Sequence, residues 1–401
     1  MDQPEWSVGL QLKIERKLRG IGQVKLAQMA NVSVSLVRKV EQGAVPASPA
    51  FVSSTARALN IGVDDLLGQP YKRSSPDERN LHATVPPLRR ELAAYKMPPE
   101  DGVQPRSMHE LAAEVARAST LRHSVDLDAL GAVLPGLLAD IRAKTWLTDG
   151  TERERAFGIR AEAYYAASQL AYKLGYIDLS SLAVDRYEWA AAQSGDELAV
   201  LVGDYQRAGE MISTADWDGA QRLLTASRAR IEDLIGGTDK PTIAVWGNLH
   251  LKSGLASARA GDMDTANDHL AEAREAAMRL GGDRDDYRLC FGPTNVGLWS
   301  VGLAVEALDG TEAVKRAERL VIPSGTQRER VGHHWIDLSR GYLLHGDHEK
   351  ATSSLYRAKE ISPQQARFHP MFHETVRTLA RKRRKADPVA RLAAWAGVKG
   401  V

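Results

Sequence analysis

The sequence predicts an all-helical fold in two parts: a unit of five short helices, followed by a larger domain of repeated helix pairs. Helix caps and stops recur at short intervals in the first 70 residues. Beyond Met108 the chain is rich in Ala, Leu, Glu and Arg, with apolar residues three and four apart and almost no β-branched alternation. At 401 residues, the chain also exceeds what one hydrophobic core usually serves.

Residues typical of helix starts and helix ends divide the N-terminal unit, residues 1–68, into five helices. Helix one ends at Gly20, and helix two begins near Gln23. Ser33 and Ser48 are predicted to open helices three and four, because a serine hydroxyl accepts a hydrogen bond from the first helical turn. The proline after Ser48 suits the first helical position. A fifth short helix is predicted over residues 63–67.

Helices two and three carry apolar residues that would form one inner face, as in a helix-turn-helix. Small Ala27 would let the two helices cross tightly. The predicted inner face consists of Leu26, Ala27, Val32, Val37 and Val40. The outer face of helix three is left polar.

Two stretches, GQVKLAQMANVSVSLVRKVEQG and VPASPAFVSSTARALNIGVDDLLG, resemble the lambda-repressor-like or XRE family of helix-turn-helix regulators. The match covers about Val8 to Gly68, although Asn31 replaces the usual turn glycine and Gly22 the usual polar cap. The resemblance implies that helix three enters the major groove of double-stranded DNA. Matching base-reading positions are Ser33, Val34, Ser35, Arg38 and Lys39; matching phosphate-contacting positions are Gln23 and Gln42. The resemblance also implies a structural ion pair between Arg16 and Glu41.

Charge and side-chain chemistry favour a nucleic-acid partner independently. Between Val8 and Arg57 there are eight Lys or Arg residues against only two acidic residues. Arg38 and Lys39 can donate to guanine O6 and N7, and Val34 could pack on a thymine methyl group. The alternative is that this unit contacts only other proteins and does not bind DNA.

Residues 69–107 contain seven prolines and are predicted to form a linker. Proline cannot donate a backbone hydrogen bond and disfavours helix in the residue before it. One short helix, Leu88 to Tyr95, is expected within this linker, with Pro86 and Pro87 at its start.

Internal self-similarity indicates helix pairs in residues 108–401. Ala220, Ala266 and Ala351 align, and each lies five residues after a small residue at a predicted turn, namely Ala215, Gly261 and Gly346. Weaker units are expected around Ala183 and Ala313, which gives about five pairs. The pattern resembles the tetratricopeptide repeat, an α-solenoid whose concave surface suits binding, although the spacings here are longer.

The larger domain also resembles the C-terminal halves of actinobacterial XRE regulators, in the stretches CFGPTNVGLWSVGLAVE, GHHWIDLSRGYLLHGD and ARFHPMFHE. Some such regulators bind signalling peptides through inward asparagines, which makes Asn248 and Asn295 candidates. The aromatic and imidazole candidates for the walls of a ligand site are Trp246, Trp299, His334 and Trp335. Ordinary packing between repeats is the alternative role for each of these residues.

Metal and enzyme signatures are weak. His369 and His373 lie four apart, and His345 and His348 three apart, but no cysteine or carboxylate cluster completes either set. No phosphate-binding glycine loop, GxSxG elbow or HExxH helix is present. We therefore expect no metal, no cofactor and no enzymatic activity. The basic run at 381–385 is expected to be a solvated helix end, with phosphate contact as the alternative.

The remaining expectations concern location and role. The first ten residues lack the order of a signal peptide, no stretch matches a membrane span, and the lone Cys290 fits a reducing compartment, so a cytoplasmic protein is expected. The expected role is a homodimeric transcription regulator whose repeat domain senses a peptide, small molecule or partner. The alternative is a protein-interaction scaffold that its helix-turn-helix anchors to DNA.

Overall fold

The computed structural model of the chain describes residues 6–71, 76–235, 239–382 and 387–398. Throughout these ranges the regular structure is helical, and the extended pairing found there is one isolated bridge between Arg284 and Phe291. None of the described helices combines the length and the apolar composition needed to cross a lipid bilayer. The all-helical prediction is confirmed.

Five short helices form the N-terminal unit, of which the structure describes residues 6–68. Their bounds are α1 (Val8–Leu18), α2 (Gln23–Met29), α3 (Val34–Glu41), α4 (Pro49–Leu59) and α5 (Val63–Leu67). These bounds follow the predicted helix starts and ends, because each helix begins at a local cap or after a glycine turn.

The predicted caps open α3 and α4. The Ser33 hydroxyl accepts a hydrogen bond from the Leu36 amide at 3.1 Å, and the Ser48 hydroxyl accepts one from the Phe51 amide at 3.2 Å. Between α2 and α3, Asn31 has φ 51°, a left-handed conformation that asparagine tolerates better than most residues. Local contacts therefore set the turn that orients α3.

The inner face of α2 and α3 is buried as predicted, except that Val32 is only half-buried. The buried residues are Leu26, Ala27, Val37 and Val40. Helix α1 also crosses α3 so closely that a Cβ on Gly9 would overlap the carbonyl oxygen of Val40. The sequence pattern did not indicate this crossing, which fixes α3 against α1.

The segment predicted as a linker is more ordered than expected. It contains two helices, α6 (Pro76–His82) and α7 (Val85–Ala93), in place of one. Their apolar residues are buried in one cluster with residues of α9 (Leu127–Leu147); they are Leu81, Val85, Leu88 and Leu92. Prolines at the start of α6 and α7 are compatible with a helix, because the first turn leaves its amide hydrogens unpaired in any case.

Six helix pairs follow in the described part of the chain, and the two helices of each pair pack on each other. They are α8 (Met108–Ser124) with α9, α10 (Gly150–Lys173) with α11 (Ile177–Ala191), α12 (Glu197–Ser213) with α13 (Trp217–Ile235), α14 (Lys240–Ala260) with α15 (Met263–Leu280), α16 (Pro293–Glu306) with α17 (Gly310–Glu318), and α18 (Arg328–His345) with α19 (His348–Ile361). We call these pairs the hairpins.

A common turn joins the two helices of each hairpin. In each turn a residue with positive φ is followed by one cap residue, and the second helix begins directly after that cap. The positive-φ residues are Val125, Gly175, Ala215, Gly261, Leu308 and Gly346. The next residue is aspartate in every case but one, where it is Tyr176. The aligned alanines Ala220, Ala266, Ala313 and Ala351 each stand fourth in their helix and are fully buried. Ser180, not the predicted Ala183, holds that position in α11.

The N-terminal unit shares an apolar core with the last helices. These are α20 (Pro363–Phe368), α21 (Pro370–Lys382) and α22 (Asp387–Ala396). Val8, Phe51 and Leu66 belong to the same buried cluster as Phe372 and Leu392. The unit is therefore packed against the C-terminal end of the chain.

A second contact joins the N-terminal unit to the middle hairpins. The hydroxyl of Ser53, on α4, donates to the carbonyl oxygen of Ser213 at 2.7 Å. The guanidinium of Arg57 donates to the carbonyl oxygen of Ala215 at 2.5 Å. Helix α4 is thus held at the turn between α12 and α13, far along the sequence from α21.

The crossing of α1 and α3 can be tested with Gly9→Ala. We expect the free energy of unfolding to fall by about 1 to 3 kcal/mol, because the added methyl group must displace the backbone of α3. The matched control is Gly136→Ala in α9, where nothing lies within 4 Å of the new atom. The measurement is urea denaturation of the full chain. Equal stability of the two variants would contradict the crossing.

Candidate nucleic-acid interface and ligand cavity

The outer face of α3 is open to solvent. Ser33, Ser35, Arg38 and Lys39 are exposed and Val34 is half-buried, while the inward residues of the helix belong to the core. Among the described residues, the side chains of Arg38 and Lys39 have no hydrogen-bond or carboxylate partner. The structure therefore brings the five predicted base-reading residues to one surface with two unpaired cations.

An ion pair anchors the far end of α3. Arg16 donates to both carboxylate oxygens of Glu41, at 2.7 and 2.9 Å, and to the carbonyl oxygen of Ile21 at 2.7 Å. Burial alone would raise the pKa of Glu41, but the hydrogen bonds from Arg16 and Gln23 outweigh burial and lower it. Both side chains are at least nine-tenths buried, so the pair ties α1 to α3.

Of the two predicted phosphate-contacting residues, Gln42 is exposed just after α3. Gln23 is placed differently from the expectation. Its amide nitrogen donates to Glu41 at 2.7 Å, so this side chain supports the ion pair. Because an amide nitrogen carries two hydrogens, one remains for another partner.

A cavity of about 430 Å³ lies between the N-terminal unit and the hairpins. Val52, Val63 and Leu67 line it from α4 and α5, and Trp299 of α16 and Phe368 of α20 are among its other lining residues. Its volume falls in the range of sites that enclose drug-sized molecules.

Three of the six predicted ligand-binding residues line this cavity, namely Asn295, Trp299 and His334. The other three serve packing. Asn248 donates to the carbonyl oxygen of Ala244 within α14, at 3.1 Å. Trp246 and Trp335 pack against the apolar clusters.

A network of buried charges, which the sequence did not indicate, adjoins the cavity. Glu329 accepts hydrogen bonds from Lys173 at 2.5 Å and from Arg122 at 3.0 Å. Burial alone would raise the pKa of Glu329, but these cations hold it well below its usual value. The partners come from α8, α10 and α18, so no spacing along the chain could have revealed them.

His123, beside this network, forms a cluster with Asp285 and Cys290 whose donor atoms lie within 4.8 Å of one another. Burial would lower the pKa of His123, but hydrogen bonds to Asp285, Cys290 and Glu329 raise it to about 10. The Arg122 guanidinium lies 2.9 Å from His123 Nε2. A guanidinium this close would repel a metal cation held by these three residues.

The histidine pairs singled out in the sequence have separate contacts. His373 donates to the carbonyl oxygen of Arg367 at 2.7 Å and stacks on Tyr71. His345 contacts Thr311. Of the basic run, Arg381 donates to the carbonyl oxygen of Gly43 at 3.3 Å, and residues 383–385 lie outside the described residues.

Comparisons with known proteins add no relative. The chain matches no protein-family description. It also has no significant match among curated proteins.

The Arg16–Glu41 pair can be tested with Glu41→Gln. We expect a loss of about 2 to 4 kcal/mol in the free energy of unfolding, because a buried guanidinium would lose its counter-ion. The matched control is Glu15→Gln, which breaks the more exposed pair with Arg19 and should cost less than about 1 kcal/mol. Urea denaturation measures both. A similar loss in both variants would contradict the anchoring role.

Because His373 is buried, we expect the folded protein to lose stability at acid pH. Burial, assisted by Arg377, lowers the pKa of His373 to about 3, whereas the unfolded chain has a histidine pKa of about 6.5. The stability that this group contributes is therefore complete above pH 6.5 and is lost as the pH falls towards 3. The free energy of unfolding, measured by urea denaturation at pH 7 and at pH 5, should decrease less between these two pH values for His373→Gln than for the unaltered chain. His109→Gln, at an exposed position, should leave the decrease unchanged, and an unchanged decrease in His373→Gln would contradict the prediction.

Proposed function

We propose that this protein is a sequence-specific, DNA-binding transcription regulator of the lambda-repressor-like type. The observation that carries the proposal is the exposed face of α3, where Arg38 and Lys39 have no internal partner while the opposite face is held in a core. A helix supported in this way can enter the major groove with its polar side chains free to reach base edges.

The side chains on this face suit base recognition. Arg38 and Lys39 would donate to guanine, Val34 would pack on a thymine methyl group, and Ser33 and Ser35 would accept or donate to either base pair. Gln42 would contact the phosphate backbone, which positions α3 without reading sequence. A homodimer on an inverted repeat is the arrangement that this mode of binding favours.

The hairpins supply the sensing part of the proposal. The recurrent turn and the buried alanine at the fourth position of the second helix support a tetratricopeptide-like α-solenoid. The cavity between the hairpins and the N-terminal unit supports control by a small molecule rather than by a protein partner on a broad groove. Occupancy of the cavity would then alter occupancy of the operator.

Selection from a random duplex library tests the DNA-binding part. The unaltered full-length chain should enrich an inverted repeat, and the Arg38→Ala, Lys39→Ala double variant should lose that enrichment. A bidentate guanine contact contributes about 1 to 3 kcal/mol, so each single variant should also relax preference at one position.

The matched control replaces two cations away from α3, in Lys315→Ala, Arg319→Ala on and just after α17. This variant should enrich the same repeat as the unaltered chain. Retention of the repeat by the α3 double variant would refute the proposed recognition face, and enrichment of no sequence by any variant would refute the proposed function.

A further inference from the structure

The cavity has a polar and an apolar part. Trp299, Phe368 and Met371 are among the residues that give it apolar surface. Asn295, His334 and Gln365 also line it, and each is 5% exposed and carries one side-chain atom without a hydrogen-bond partner in the protein. Unpartnered buried polar atoms are uncommon, because each loses its hydration without compensation. The residues of the wall therefore include polar atoms that the protein itself leaves unpartnered.

Arg330, in the wall of the cavity, indicates the charge of the ligand most directly. Its guanidinium donates to the carbonyl oxygen of Leu289 at 2.9 Å, and its Nε has no partner. Among the described residues, no carboxylate lies within ion-pair distance of Arg330. The other guanidiniums of the wall differ, since Arg259 and Arg340 both pair with Glu306 at 2.9 Å.

Glu329, the neighbouring carboxylate, already accepts hydrogen bonds from Arg122 and Lys173. Arg330 itself is half-buried in the cavity wall. A guanidinium in this position is free to bind an anion, and a charge-assisted, bidentate hydrogen bond would make that contact a strong one.

We propose that the cavity binds a small anionic molecule with an apolar body, its acidic group at Arg330 and its apolar part against Trp299 and Phe368. A carboxylate, sulfonate or phosphate monoester would supply the acidic group, because each offers the planar or clustered oxygens that a guanidinium fork prefers.

Such a ligand would contact both parts of the protein at once. Val63 and Leu67 of α5 line the cavity together with residues of the hairpins. A bound molecule would therefore favour one placement of the N-terminal unit against the hairpins. This regulatory consequence rests on the proposed function, whereas the binding itself does not.

Two fluorescent probes with the same aromatic body test the anionic preference. They are 8-anilinonaphthalene-1-sulfonate, which is anionic, and N-phenyl-1-naphthylamine, which is neutral. Titrated into the full chain, the sulfonate should bind at one site per chain, at least tenfold more tightly than the neutral probe. Equal affinities, or several equivalent sulfonate sites, would overturn the proposal.

Arg330→Gln should weaken sulfonate binding about tenfold and leave the neutral probe unchanged. Arg330→Lys, which keeps the charge, should retain most of the preference. The matched control is Arg222→Gln, at an exposed position on α13 that does not line the cavity. Unchanged sulfonate affinity in a folded Arg330→Gln variant would overturn the proposal.

A second variant tests the location of the site and leaves every charge in place. Val63→Trp would fill the cavity from α5 and should weaken both probes at least tenfold, whereas Val321→Trp, at an 83% exposed position, should weaken neither. Full binding of the sulfonate to Val63→Trp would place its site elsewhere and refute the proposal.

The probe titrations contain no DNA, so they separate this inference from the proposed function. If the chain prefers the sulfonate but enriches no duplex, the anion site is supported and the proposed regulatory function is refuted. If the chain enriches a duplex but shows no preference for the sulfonate, the regulatory function is supported and the anion site is refuted. If both hold, saturating sulfonate should change the affinity of the chain for its selected duplex.

Discussion

The apolar core that the N-terminal unit shares with the C-terminal helices is the constraint on which the rest of the structure depends. Because Phe51 and Leu66 are buried with Phe372, the unit is not a tethered module but part of the packed molecule. Hydrogen bonds from Ser53 and Arg57 hold α4 at a second place. Held at both places, the unit forms one wall of the cavity while its α3 stays exposed.

The features predicted correctly from the sequence were those with local causes. A serine cap, a left-handed asparagine or a glycine turn acts over three or four residues, so the bounds of α2 to α5 could be predicted. The 69–107 segment was predicted less well, because prolines were weighed as helix breakers although Pro76 opens α6. Burial of Leu88 and Leu92 against α9 stabilises these helices, and that contact is not visible in composition.

The site was predictable only in part, for a geometric reason. Residue type made Asn248 and Asn295 equal candidates, but a long helix buried on several sides gives no periodic signal for the side that faces a cavity. The charged network around Glu329 depends on three helices, α8, α10 and α18, that only the fold brings together. Arg330, which has no carboxylate partner among the described residues, had no distinguishing neighbour in the sequence.

The turn that joins each pair of helices has a consequence for how the chain folds. Each hairpin forms contacts between residues close in sequence, and backbone hydrogen bonds within the pair close its turn. The hydrogen bond from Ser53 to Ser213, in contrast, spans 160 residues, and that from Arg381 to Gly43 spans 338. Closing such large loops loses more chain entropy than closing a hairpin, so we expect the hairpins to form before the N-terminal helices are fixed in place.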